Sequence, residues 1–163
     1  MRRKVLQRDA LVEVVKNLRD RGKRVVFTNG CFDLIHLGHV RYLGEAKKHG
    51  DILVVGLNSD GSVRRLKGKG RPFVPERDRA ELLAALEAVD YVTIFGEETP
   101  ATLIEALEPD LIVKGADYTL EEVVGRETVE RSGGCVVIVP LVEDRSTTKL
   151  IEKIRRSPLE PES

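Results

Sequence analysis

Residues 25–57 decide the fold, and they read VVFTNGCFDLIHLGHVRYLGEAKKHGDILVVGL. Two short apolar runs, at residues 25–28 and 52–57, are rich in β-branched side chains and are typical of buried strands. The stretch between them has helical character over residues 40–49 and closes at Gly50. Parallel strands need a crossover connection, which is usually a helix. The pattern therefore predicts a strand–helix–strand unit with two parallel strands.

The same alternation continues on both sides of this unit. Helices are predicted at residues 11–18 (with Asp9 as N-cap), 75–89, from Thr99-Pro100 onward, and 146–156, and further strands at 91–95, 110–113 and 136–139. Short apolar strands separated by amphipathic helices specify a parallel sheet covered on both faces. We predict a single doubly wound, Rossmann-like α/β domain over residues 1–156, with a five-stranded parallel sheet of order 3-2-1-4-5. Residues 157–163 are predicted to form a disordered tail.

Composition excludes several classes of function. The 163 residues include 27 basic and 27 acidic side chains, so the formal net charge is zero. This balance argues against a general binder of nucleic acids or anionic membranes. The longest apolar run, residues 135–142, has eight residues, far fewer than the roughly 20 of a membrane span. We expect a soluble, cytoplasmic protein with no nucleic-acid or membrane partner.

Ligands of an open parallel sheet bind beyond the carboxyl ends of its strands. After the first strand, His36 and His39 lie three residues apart, which places both imidazoles on one face at a helix N-terminus. Imidazoles beside the free N–H groups of a helix start can bind phosphate. Two other interpretations stay open: structural histidines, or a metal site with Cys31, which lacks a fourth ligand at a suitable spacing.

Residues 62–75, after the second strand, contain five basic side chains and no acidic one. Their position predicts a mobile lid over the crevice, although a run of charge can also be a solvated face. Lys67, Lys69 and Arg71 are the candidates for phosphate contacts. At the start of the last helix, Ser146 is a predicted N-cap.

Residues 28–39 resemble the HxGH signature of the nucleotidylyltransferase superfamily in the glycine, the Phe-Asp pair and both histidines. With residues 113–118, Gly125 and the run 145–148, the chain most resembles the ADP-heptose synthases, which are D-glycero-β-D-manno-heptose 1-phosphate adenylyltransferases. It departs from them at Ala116, where glycine is usual, and at Lys149, where asparagine is common.

The resemblance implies an enzyme that joins AMP from ATP to a heptose 1-phosphate and releases pyrophosphate. The ADP-heptose formed would serve lipopolysaccharide precursor synthesis. The resemblance also implies Mg²⁺, a homodimer, and a sugar kinase acting upstream. We expect that kinase to be a separate protein, because this chain shows no kinase half.

Site residues follow from the resemblance in three groups. The catalytic group comprises His36, His39, Lys67 and Arg71. The nucleotide-binding group comprises Asn29, Gly30, Cys31, Phe32, Lys69, Arg79, Ser146, Thr147 and Thr148. The acceptor group comprises Asp33, Lys114, Gly115, Asp117 and Tyr118, and Asp33 is also expected to ligate Mg²⁺, directly or through water.

Three alternatives remain. Glycerol-3-phosphate cytidylyltransferases, which use CTP, share the HxGH start and the Ser-Thr-Thr-Lys ending. They typically carry a tryptophan after the fourth strand, whereas this chain has none. Archaeal-type FAD synthetases fit the region of Gly125 poorly. The third alternative is a nucleotide-binding module that has lost turnover.

Overall fold

A parallel sheet of five strands forms the centre of the structure, a computed structural model that describes residues 3–143 and 145–158. Its order, β3-β2-β1-β4-β5, is the predicted one. Most strands run slightly beyond the apolar runs, because backbone pairing such as Asn29 with Gly56 does not depend on apolar side chains. The strands are β1 (Val25–Gly30), β2 (Ile52–Asn58), β3 (Tyr91–Phe95), β4 (Leu111–Gly115) and β5 (Cys135–Val139).

Helices cover both faces of this sheet, as predicted. They are α1 (Arg8–Asp20), α2 (Leu37–Lys47), α3 (Asp60–Lys67), α4 (Glu76–Ala84), α5 (Ala101–Leu107), α6 (Arg126–Arg131) and α7 (Thr147–Arg156), with a 3₁₀ turn at Leu120–Glu122. One buried cluster packs Leu43 of α2 and Leu83 of α4 on the sheet. The other packs Leu11 of α1 and Leu103 of α5. Burial on both faces explains why the strands are almost wholly apolar.

Several predicted boundaries were wrong. Helix α2 begins at Leu37 rather than at residue 40, α4 ends at Ala84 rather than at 89, and the N-cap of α1 is Gln7 rather than Asp9. The sequence also did not predict α3 or α6. Helix α3 buries only Ser62 and Val63, so it lacks the apolar stripe by which an amphipathic helix is recognised.

Helix α7 ends at Arg156, and the N–H of Ser157 still donates to the carbonyl of Lys153. The predicted disordered tail begins at Ser157, and its last five residues, 159–163, lie outside the described part of the chain. Within the described ranges, no helix has both the length and the apolar character needed to cross a membrane.

Candidate active site

A cleft of about 680 Å³ opens at the carboxyl ends of the central strands. It lies where β1 meets β4, the point at which the strand order reverses direction. This switch point is where an open α/β sheet leaves room for a ligand. Every predicted site residue except Lys69 and Arg79 lines the cleft.

The two histidines begin helix α2 as a reciprocal cap. His36 is the N-cap, and its Nδ1 accepts a hydrogen bond from the N–H of Gly38 at 3.1 Å. The Nδ1 of His39 accepts from the N–H of His36 at 3.4 Å. Gly38 must be small here, because a Cβ atom would lie 2.9 Å from both the His36 ring and the Cβ of Arg145. The HxGH spacing thus builds its own local support.

Both imidazoles are held neutral by their surroundings. The rings stack with their centroids 3.8 Å apart, and Phe32 packs edge-on against His39. Burial, with His36 adding to it, lowers the pKa of His39 to about 4. Burial and Arg145 also lower the pKa of His36. Since each Nδ1 accepts a hydrogen bond, the proton of each neutral ring is inferred to sit on Nε2.

These Nε2–H groups are available to a ligand. The Nε2 of His36 is buried and has no partner among the described residues. A buried polar group without a partner costs about 1–3 kcal/mol, so a ligand that accepts from it would recover that cost. His36 can therefore donate a neutral hydrogen bond to an anion bound in the cleft, and His39 Nε2 is a second candidate donor.

The start of helix α7 faces the same cleft. Ser146 caps the helix, and its Oγ accepts from the N–H of Lys149 at 3.1 Å, as predicted. The hydroxyl of Thr147 donates to the carbonyl of Leu34 at 3.3 Å, which ties α7 to the segment that carries the histidines. Remaining N–H groups of the first turn and the positive end of the helix dipole favour an anion there.

Lys114 supplies a buried amino group to the cleft. Its Nζ donates to the carbonyl of Asn29 at 3.2 Å and lies 4.9 Å from the ring centre of Tyr118. Burial lowers the pKa of Lys114 to about 8, against the opposing effects of Asp117 and Cys31. A phosphate bound beside this amine would favour its charged form.

Asp33 holds the basic segment in place. Its carboxylate accepts from the Nε of Arg71 at 2.5 Å, from the N–H of Phe73 at 2.8 Å and from the N–H of Val74 at 3.0 Å. Burial raises the pKa of Asp33, but these three hydrogen bonds outweigh it and hold the pKa below its usual range. The region predicted as a mobile lid is thus partly helix α3, and its remainder, residues 68–75, is fastened to Asp33. We call residues 68–75 the strap.

The described residues do not build a metal site. No group of three or more His, Cys, Asp or Glu side chains within them is placed to hold a metal ion. Both oxygens of Asp33 already accept hydrogen bonds from the strap. The geometry therefore supports neither Asp33 as a Mg²⁺ ligand nor a site made of His36, His39 and Cys31.

Arg79 does not reach the cleft, contrary to the expectation that it binds nucleotide. Its side chain is fully buried. The guanidinium donates to the carbonyls of Val74, Cys31 and Asn58 at 2.6–2.8 Å and to Asp60 Oδ1 at 2.7 Å. Lys69 lies in the exposed part of the strap and is also not brought to the cleft.

The sequence analysis gave no role in the site to three features of the cleft. Tyr42 lines it, donates to the carbonyl of Val113 at 2.9 Å and accepts from the hydroxyl of Thr28 at 2.6 Å. Its position three residues after His39 on one helix face could have revealed it. Arg145 beside His36 and the apolar side chains of Leu141 and Val142 line the cleft as well.

Comparison with known proteins identifies the family. Residues 27–153 match the family described as Cytidylyltransferase-like. The chain belongs to this family. It is therefore a nucleotidyltransferase, and the predicted enzyme class and a nucleotide as one substrate are confirmed.

This cytidylyltransferase-like chain has similar relatives of much greater length. It is 60% identical over 152 residues to "Bifunctional protein HldE" of Geotalea uraniireducens (strain Rf4), covering 93% of this chain and 31% of that protein. It is 56% identical over 154 residues to the protein of the same name from Geobacter metallireducens (strain ATCC 53774 / DSM 7210 / GS-15), covering 94% and 31%. The chain thus spans about a third of the length of these curated relatives.

A solved structure shares both sequence and fold with the chain. It is the crystal structure of the lipopolysaccharide core biosynthesis protein from Thermoplasma volcanium GSS1, at 34% identity and a TM-score of 0.62. The match covers 76% of this chain and all of the other. It supports the same doubly wound architecture for this cytidylyltransferase-like domain.

Proposed function

We propose that this domain is an adenylyltransferase that transfers AMP from ATP to a heptose 1-phosphate and releases pyrophosphate. The product, ADP-heptose, would enter lipopolysaccharide precursor synthesis. The observation that carries the reaction class is the pair of neutral imidazoles with Nε2 donors at the switch point, beside the start of α7. The choice of substrates is supported by the high identity to proteins named HldE and by the lipopolysaccharide protein of similar fold.

The reaction needs binding and charge neutralisation more than proton transfer. A phosphate oxygen of the sugar phosphate attacks the α-phosphorus of ATP, and a new P–O bond forms. The bond from the α-phosphorus to the bridging oxygen breaks, and pyrophosphate leaves with the electron pair. The attacking group is already an anion, so no general base is required. Neutral donors such as His36 and His39 stabilise the charge that develops around the α-phosphorus.

Two sides of the cleft are proposed for the two substrates. The α7 start, with Ser146, Thr147 and Thr148, and residues 29–32 would bind the nucleotide. Lys67 and Arg71 would bind the β- and γ-phosphates or the acceptor phosphate, and Lys114, Gly115, Asp117 and Tyr118 would bind the acceptor. Mg²⁺, proposed to act with the nucleotide, would neutralise part of the triphosphate charge.

The remaining partners are proposed on the same basis. A sugar kinase must act first, because the acceptor is already phosphorylated. We propose a homodimer that works in the cytoplasm, where ATP is supplied. The glycerol-3-phosphate cytidylyltransferase alternative is disfavoured because residues 115–118, Gly-Ala-Asp-Tyr, stand where those enzymes carry tryptophan.

The test measures pyrophosphate release by the purified chain with each nucleoside triphosphate and a panel of phosphorylated acceptors. We expect release only with ATP and a heptose 1-phosphate. Release only with CTP and glycerol 3-phosphate would replace the proposal with the cytidylyltransferase. Nucleotide binding without release for any acceptor would support a module without turnover.

A further inference from the structure

The strap carries a phosphate-binding candidate, Arg71, into the cleft wall. Gly68, with φ +101°, ends helix α3 and turns the chain into the strap. Arg71 has a side chain that is only 17% exposed, although its neighbours Lys69 and Gly70 are exposed. A long cationic side chain loses rotamer entropy when it is fixed. Some interaction must therefore compensate for holding Arg71 in this place.

Asp33 provides that interaction from within the histidine segment. Its side chain is 1% exposed and lies three residues before His36 in the sequence. The hydrogen bond from Arg71 uses Nε, so the two Nη groups of the guanidinium are left for other acceptors. The two N–H donors of Phe73 and Val74 complete the set around the carboxylate. Asp33 thus fixes both the guanidinium and the backbone that bears it.

Arg79 holds the same point of the strap from the other side. The N–H of Val74 donates to Asp33 at 3.0 Å, and the carbonyl of Val74 accepts from Arg79 Nε at 2.8 Å. Arg79 also donates to the carbonyl of Cys31 at 2.6 Å. Val74 is therefore fixed at both its N–H and its carbonyl, and both contacts lead back to residues 31–33.

We propose that Asp33 is a positioning residue that fastens the strap to the histidine segment and directs Arg71 toward the bound phosphates. Asp33 itself contacts neither substrate nor metal. The inference rests on the proposed function only in assigning phosphate binding to Arg71. The other part of the inference, that Asp33 holds the strap closed, does not depend on any substrate.

The first test is limited digestion with trypsin in the absence of nucleotide, at the Lys67 and Lys69 bonds. Asp33→Asn keeps the size of the side chain but replaces one acceptor oxygen with an NH₂ group, so it cannot accept all three bonds. Since proteolysis follows the population of the opened form, we expect cleavage on the order of tenfold faster. Asp78→Asn, an exposed acid of α4, is the matched control and should be cut at the wild-type rate.

A global loss of fold would also accelerate cleavage, so urea unfolding is measured on each variant. Arg71→Ala tests the same contact from the other side. It removes the guanidinium that donates to Asp33, so cleavage at Lys67 and Lys69 should also be faster. Folded Asp33→Asn that is cut no faster than Asp78→Asn would overturn the proposal. This result does not depend on which reaction the protein catalyses.

The second test is a double-mutant cycle on kcat/KM for pyrophosphate release, with Asp33→Asn and Arg71→Ala. If Asp33 acts through Arg71, the double variant is no slower than Arg71→Ala alone. If Asp33 were instead a metal ligand, its substitution would lower kcat/KM equally in both backgrounds, and added Mg²⁺ would restore part of the loss. That outcome would reject the positioning role even with the strap closed.

Discussion

The histidine segment, residues 29–39, and the strap, residues 68–75, both bring phosphate-binding candidates to one cleft, but they are held in different ways. His36 and His39 are supported by N–H groups two or three residues away. Arg71 and Val74 are supported by Asp33, about forty positions earlier in the chain. The histidines are neutral donors, whereas Arg71 is a paired cation. Local capping thus builds one half of the site, and long-range ionic contacts build the other.

The largest effect is expected in the locally supported half. His39→Ala removes a donor that we propose contacts the reacting phosphate, and loss of one such donor lowers kcat by about 100- to 1,000-fold. The rate of pyrophosphate release at saturating substrate concentrations measures this change in kcat. His49→Ala is the matched control, because His49 does not line the cleft. A loss of less than about tenfold in folded His39→Ala, or 1.4 kcal/mol, would contradict the assignment.

The second prediction concerns the long-range half. Arg79→Met leaves the carbonyls of Cys31 and Asn58 and the Asp60 carboxylate without their donor. Leaving a buried acceptor without a partner costs about 1–3 kcal/mol, and urea unfolding should show a loss of at least this order. Arg77→Met, an exposed neighbour, should change stability by no more than about 0.5 kcal/mol. Equal unfolding curves would mean that the strap does not depend on Arg79.

The smallest expected effect concerns Lys114, whose amine donates to the carbonyl of Asn29 in the histidine segment. Its pKa of about 8 means that the charged form is present below this pH and is lost above it. We propose that acceptor binding needs this charge, so kcat/KM for the sugar phosphate should fall as the pH rises through about 8. One pH unit above that value, the fall should be roughly tenfold.

A matched variant isolates this effect. Lys114→Arg keeps its charge at every accessible pH, so its profile from pH 6.5 to 9.5 should lack the fall. If wild type and variant share one profile, another group is responsible and Lys114 does not bind the acceptor phosphate.

Prediction from sequence succeeded for features that depend on a few neighbouring residues. The strands followed from apolar runs of β-branched residues, and the cap at Ser146 followed from its residue type. Helix α3 was missed because it buries too little apolar surface to show periodicity. Tyr42 was missed because a tyrosine inside a helix is usually a core residue, whereas here its hydroxyl bridges β1 and β4 under the cleft.

Arg79 and Asp33 are two residues whose contacts the sequence did not reveal. The family resemblance predicted a ligand or metal contact for both. In the fold, the Asp33 carboxylate accepts a hydrogen bond from the N–H of Val74. Arg79 donates to the carbonyl of the same residue. The sequence around a charged residue does not indicate its ion-pair partner, since ion pairs form between residues that only folding brings together.

The sequence by itself determined the doubly wound sheet, the switch point and the Ser146 cap, because periodicity and capping act over a few neighbouring residues. Only the tertiary structure decided that the imidazoles are neutral, that Lys114 has a lowered pKa, and that the strap is fastened by Asp33 and Arg79. Burial and long-range pairing cause all three, and both arise when distant segments pack together.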